Sequence, residues 1–118
     1  MLNSALLGQK IAEKHPVDGV YLFGSRSKNE DTETSDIDLG ILYQTVLGDT
    51  LAAHMRTQDL KQCLESELNM YGQLDLVDLE IVPVALQFAA ISGDVIVNNN
   101  NLRLHHFENK VMSRMELG

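Results

Sequence analysis

Apolar positions near the start of the chain fall at Leu2, Leu6, Leu7 and Ile11, and Pro16 follows shortly after. That spacing predicts a helix over residues 2–14 with proline as its stop. Residues 19–24, GVYLFG, are short, β-branched and aromatic between glycines, which predicts a buried strand. Residues 36–43, DIDLGILY, set Asp36, Asp38 and Gly40 against Ile37, Leu39 and Ile41, the period of a strand with one apolar face. Leu51, Met55, Leu60, Leu64 and Leu68 predict an amphipathic helix over 50–70. LDLVDLEIV, 74–82, reads as a third strand, and 83–92 as a helix that opens on Pro83 and closes before Gly93. A short strand over 94–98, a run of asparagines forming a turn or a disordered joint, and a last helix over 102–117 complete the chain. Leu102, Leu104, Phe107, Val111 and Met115 on that helix suit core packing, and equally a homodimer or partner surface.

This order predicts an α/β fold in which helices pack on a sheet of about four strands. The link between the first two strands is shorter than a crossover usually needs, so a mixed sheet is expected. The 118 residues, 44% hydrophobic and 22% charged, suit one soluble domain over 1–118. Cys63 is the only cysteine, which excludes a disulfide framework; within a helix it reads as a small buried hydrophobe. With no membrane-length apolar run and no signal-peptide pattern, a cytoplasmic protein is expected.

Nine Lys or Arg against seventeen Asp or Glu give a formal charge of −8. Such a surface repels nucleic-acid phosphates, so no direct nucleic-acid binding is expected. Handling a polyanion would need local help from a metal ion, a helix N-terminus or a basic partner. His15, His54, His105 and His106 show no zinc-ligand spacing and read as surface or packing residues.

Asp36 and Asp38 stand two apart on a strand, so their carboxylates share a face roughly 6–7 Å apart. Such a pair suits either a hard divalent cation such as Mg²⁺ or two solvated aspartates on an edge. Gly24 and Ser25 add weight to the first reading. Gly24 lets the chain turn sharply at the strand end, and Ser25 suits the N-cap of a short helical turn whose N–H groups attract an anion. Arg26 and Lys28 place positive charge in the same turn, and Asn29 fits its left-handed end.

Gly24-Ser25, ten residues, then Asp36-Ile37-Asp38 resembles the nucleotidyltransferase signature of the polymerase β superfamily. With roughly 5% usage for each of the four fixed residues, a chance match anywhere in such a chain is on the order of one in a thousand. The framing YLFGSR…SDIDLGIL, a following helix and LDLVDL is closest to the minimal nucleotidyltransferases, the MNT proteins, over about residues 17–110. The resemblance implies a third carboxylate on the neighbouring strand. The candidates are Asp75, Asp78 and Glu80; Asp75 and Asp78 are three apart and face opposite ways, and the family pattern selects Asp75, leaving Asp78 a structural role. It further implies ATP as substrate and a two-metal Mg²⁺ site held by Asp36, Asp38 and Asp75. Gly24 and Ser25 then hold the β- and γ-phosphates, Arg26 steadies developing charge, and Asp75 is the candidate base for the incoming hydroxyl.

Stand-alone MNT proteins pair with a small helical HEPN toxin. The resemblance therefore implies an antitoxin that moves AMP from ATP onto a tyrosine of a HEPN ribonuclease. The short chain, without the second domain of larger relatives, fits an acceptor supplied by a partner. Two other roles fit the same residues: a non-catalytic antitoxin that blocks its partner sterically, and a transferase for a small-molecule hydroxyl. Tyr21, Tyr43 and Tyr71 are candidate acceptors for self-modification, although two of them lie in predicted strands.

Overall fold

The computed structural model describes residues 3–24 and 37–117. Helix α1 (Ser4–Lys14) starts at Asn3, whose side chain accepts the N–H groups of Ala5 and Leu6, and it ends at His15, before Pro16. Strands β1 (Val17–Phe23) and β2 (Ile37–Tyr43) follow. Helix α2 (Thr50–Leu68) is capped by the Asp49 carboxylate and ends on Asn69 in the left-handed conformation. Strand β3 (Leu74–Asp78), helix α3 (Val84–Ile91), strand β4 (Asp94–Asn98) and helix α4 (Asn101–Leu117) complete the order.

The sheet order is β3-β2-β1-β4. The β1–β2 and β1–β4 pairs are antiparallel, β2–β3 is parallel, and the sheet is therefore mixed as expected. Only the parallel pair needs a long crossover, and α2 supplies it. Burial fixes which side of the sheet each residue faces. Ile37, Leu39, Ile41, Leu74 and Leu76 pack with Leu7, Ile11, Leu60 and Leu64 beneath α1 and α2. Tyr21, Phe23 and Leu42 pack with Ala90, Leu104, Phe107 and Val111 beneath α3 and α4. A bulge at Asp18, between the Val17–Tyr43 and Gly19–Leu42 pairs, shifts the phase of β1 so that Val17 and Val20 both reach the first core.

Several boundaries and faces differ from the sequence pattern. Strand β1 begins two residues earlier than expected. Strand β3 stops at Asp78 rather than running to 82, because the Asp78 carboxylate accepts the Glu80 N–H (3.0 Å) and its carbonyl accepts that of Ile81 (3.1 Å), which closes a turn. On α2 the inward face is Ala53, Thr57, Leu60 and Leu64, while Leu51 and Met55 are 66% and 57% exposed. Cys63 lies on the outer side of α2 and is exposed, not buried. Leu102 and Met115 likewise face outward from α4, whereas Leu104, Phe107 and Val111 are in the core. The asparagine run is a cap: Asn100 Oδ1 accepts the Arg103 N–H at 3.1 Å. No helix among the described residues is long and apolar enough to cross a membrane.

Two buried tyrosines tie the sheet to its helices. Tyr21 donates to Glu108 Oε2 of α4 at 2.6 Å, and the Tyr43 hydroxyl bonds Thr57 Oγ1 of α2 at 3.0 Å. Burial, then the bond to Glu108 and its charge, push the Tyr21 phenol well above its ordinary value. Burial also raises Tyr43, against the lowering effects of Thr57 and Arg56. Raised folded-state values mean that the stabilisation is intact below the unfolded value near pH 10 and is lost as pH climbs beyond it. Tyrosinate absorbance followed with far-ultraviolet circular dichroism should show two of the three tyrosines ionising only with unfolding, above roughly pH 10. Ionisation of all three while the fold is retained would contradict the placement of Tyr21 and Tyr43.

Candidate active site

The site begins with a register. Asp38 of β2 pairs with Asp75 of β3, and on its other side with Phe23, the last residue of β1. Partners across a parallel pair point to the same side, about 4.8 Å apart at the backbone. Both carboxylates lie on the face opposite the Ile37, Leu39 and Ile41 core. Asp38 is half-buried and Asp75 exposed, so the pair opens from the sheet towards solvent.

Gly24 completes the described part of the site. It follows β1 directly and has φ +77°, a conformation that L side chains rarely adopt. A Cβ there would collide with Asp38 Oδ2, so the turn and the carboxylate are in close approach. Glycine thus serves two needs at once, the turn and the contact. Behind Asp38, Leu79 packs directly over Gly40, where a Cβ would come within 2.8 Å of Leu79 Cδ2.

Ser25, Arg26 and Asp36 lie outside the described residues, together with Lys28 and Asn29. Among the described residues no three His, Cys, Asp or Glu side chains gather as a metal site. Asp38 and Asp75 nevertheless fit a hard cation: both offer oxygen ligands, they share a face, and their mutual repulsion is relieved by positive charge between them. Asp78 is placed otherwise. It pairs with Ile41, faces the α1/α2 core, and is buried against Arg56 at 3.1 Å. Arg56 also lies 3.6 Å from the centre of the Tyr43 ring. Asp78 is thus committed to an internal ion pair on the far side of the sheet from Asp75.

A family model described as polymerase beta, nucleotidyltransferase, matches residues 8–102. The chain belongs to that family. It is a nucleotidyltransferase, and its α/β fold with a mixed four-stranded sheet is that of the family. Among solved structures, a toxin–antitoxin crystal structure with AMP-PNP is similar at TM-score 0.79 and 26% identity, covering 98% of this chain and 88% of that one. A mutant of the toxin–antitoxin complex MntA–HpeT is similar at TM-score 0.77 and 28% identity, again over 98% and 88%. A tri-AMPylated HEPN toxin of Shewanella oneidensis in complex with MNT antitoxin shares the fold at TM-score 0.70 and 24% identity, over 96% and 83%. No curated protein sequence matches.

Sequence reasoning missed three supports of this site. Gly93 abuts the end of β1, where a Cβ would collide with Leu22 O, and Leu79 covers Gly40. Glu65 of α2 accepts the Gly72 N–H at 2.9 Å in the turn that leads to β3. The two left-handed glycines, Gly24 and Gly72, were visible as glycines beside strands, but their roles depend on partners distant in sequence. Replacing Gly24 with alanine should cost about 1–2 kcal/mol in backbone conformation alone, before the clash with Asp38. Gly24→Ala should therefore weaken AMP-PNP binding, measured by calorimetry, by roughly tenfold or more while the circular dichroism stays native. Unchanged affinity would show that this turn does not hold the nucleotide.

Proposed function

We propose that this chain transfers AMP from ATP, with Mg²⁺, onto a tyrosine hydroxyl of a HEPN-type toxin, and acts as its antitoxin. The observation that carries the proposal is the shared rung of Asp38 and Asp75 beside the Gly24 turn. Membership of the nucleotidyltransferase family and likeness to toxin–antitoxin structures, one with AMP-PNP, support it. The formal charge of −8 suits a more basic partner.

In this reading the turn after Gly24, with Ser25 and Arg26, takes the triphosphate tail through N–H groups and positive charge. Asp36, Asp38 and Asp75 are the oxygen ligands for Mg²⁺. When bound, Mg²⁺ would neutralise the triphosphate and favour the ionised form of the acceptor hydroxyl. Asp75, the exposed member, faces solvent where an acceptor would arrive and is the group suited to take its proton. The hydroxyl oxygen then bonds to the α-phosphorus, the bond from that phosphorus to the pyrophosphate oxygen breaks, and pyrophosphate leaves. Two of the chain's own tyrosines are unsuitable acceptors, since Tyr21 and Tyr43 are buried with bonded hydroxyls.

Incubation with α-labelled ATP, Mg²⁺ and the product of the adjacent gene should place label on a tyrosine of that partner, located by mass spectrometry. Asp36→Ala, Asp38→Ala and Asp75→Ala should each lower the transfer rate at least a hundredfold, the scale of losing a catalytic group. Neutralisation of the partner by variants that transfer nothing would instead make this a binding antitoxin. Label appearing only on an added small-molecule hydroxyl would reject the protein acceptor.

A further inference from the structure

Glu65 sits where elementary electrostatics disfavours a carboxylate. It is buried in the last turn of α2, at the negative end of the helix dipole. Among the described residues no Lys, Arg or His pairs with it. Its Oε2 accepts the backbone N–H of Gly72 at 2.9 Å, and its carbonyl accepts the N–H groups of Asn69 and, at 3.0 Å, Met70. One residue thus gathers three N–H groups of the turn that joins α2 to β3.

That turn is made of conformations needing support. Asn69 and Gly72 both have positive φ, 53° and 75°. From Gly72 a short chain of bonds leads to the active-site rung. The Gln73 N–H reaches Met70 O at 3.1 Å, and Gln73 O accepts the Ile37 N–H at 2.8 Å. The next pairs are Ile37 with Leu74 and Asp38 with Asp75. Strand β3 is an edge, held by hydrogen bonds to β2 alone, so its first residues depend on whatever anchors the turn before them.

We infer that Glu65 is a positioning residue for the carboxylate pair: through Gly72 it clamps the turn that sets Asp75 opposite Asp38. The inference rests on the reading of Asp38 and Asp75 as the reactive pair. An acceptor oxygen at this place holds the turn; the negative charge itself is not needed. Glutamine therefore retains the function, and a side chain of similar length without the oxygen loses it.

The test compares Glu65→Met, which keeps length and apolar volume, with Glu65→Gln, both assayed for AMP transfer and by hydrogen exchange. Glu65→Met should lower kcat roughly tenfold to a hundredfold, the scale of an ångström-sized misplacement, with KM for ATP within about twofold because the triphosphate turn follows β1. Amide exchange should accelerate at Gly72 and along Leu74–Asp78 and stay slow in β1. Glu65→Gln should restore both readouts to within about twofold of wild type, since its amide oxygen still accepts the Gly72 N–H. Wild-type kcat in Glu65→Met, equal losses in the two variants, or exchange that accelerates evenly across the sheet would each overturn the positioning role. Asp75→Ala separates the two failures. If it is inactive while Glu65→Met is fully active, only the clamp is wrong; if it transfers normally, the reading of the site falls and the clamp with it.

Discussion

Parallel pairing of β2 with β3 is the constraint on which the site depends. It puts Asp38 and Asp75 on one rung, so that two acidic side chains share one face of the sheet. Their neighbours decide the outcome. Ile37, Leu39, Ile41, Leu74 and Leu76 occupy the opposite face of the same strands and are buried beneath α1 and α2. At roughly 2 kcal/mol for each buried side chain, their burial sets the register of the two strands. A slip of one residue in β3 would send Leu74 and Leu76 to the wrong face and Asp75 away from Asp38. The apolar core therefore fixes the register that brings the two carboxylates to one face of the sheet.

The remaining architecture sorts acidic groups by role. Asp78 lies three residues beyond Asp75 on β3, close in sequence but on the other face, and is neutralised internally by Arg56. Glu65 is buried beside the turn before β3, and Glu108 receives the Tyr21 hydroxyl above β1. Each of these carboxylates has a described partner within the fold. Asp75 is different in being exposed beside Asp38 and Gly24, as suits a group that meets substrate. That division, rather than the overall negative charge, gives the sheet end its chemical character.

The sequence carried the topology well where pattern and local physics agree. Alternation in DIDLGILY showed which residues of β2 share a face, and the link after β1, short for a crossover, pointed to a mixed sheet, which the antiparallel β1–β2 pair makes. The Gly24 turn was legible because a glycine closing an apolar strand frees the backbone for a sharp change of direction. Other features depended on contacts invisible in one dimension. The heptad-like spacing of Leu51 and Met55 suggested an inward face, but α2 turns Ala53 and Thr57 to the sheet instead, small residues that permit close approach. Cys63 follows the same rotation to the outside. Strand β3 looked longer because Leu79, Ile81 and Val82 are apolar, while the Asp78 side chain ends it with a local turn. Glu65 gave no signal at all: a glutamate in a helix reads as surface until its partner, Gly72, is brought beside it.

The place where a divalent cation binds in the presence of nucleotide is the most direct check on the role of the Asp38–Asp75 rung. A crystal structure of this chain with Mn²⁺ and AMP-PNP, recorded for manganese anomalous scattering, measures that position. The expected result is an anomalous peak coordinated by Asp38 and Asp75 oxygens, with the triphosphate tail against the turn that follows Gly24. Manganese bound elsewhere, or a nucleotide seated without contact to that rung, would contradict it.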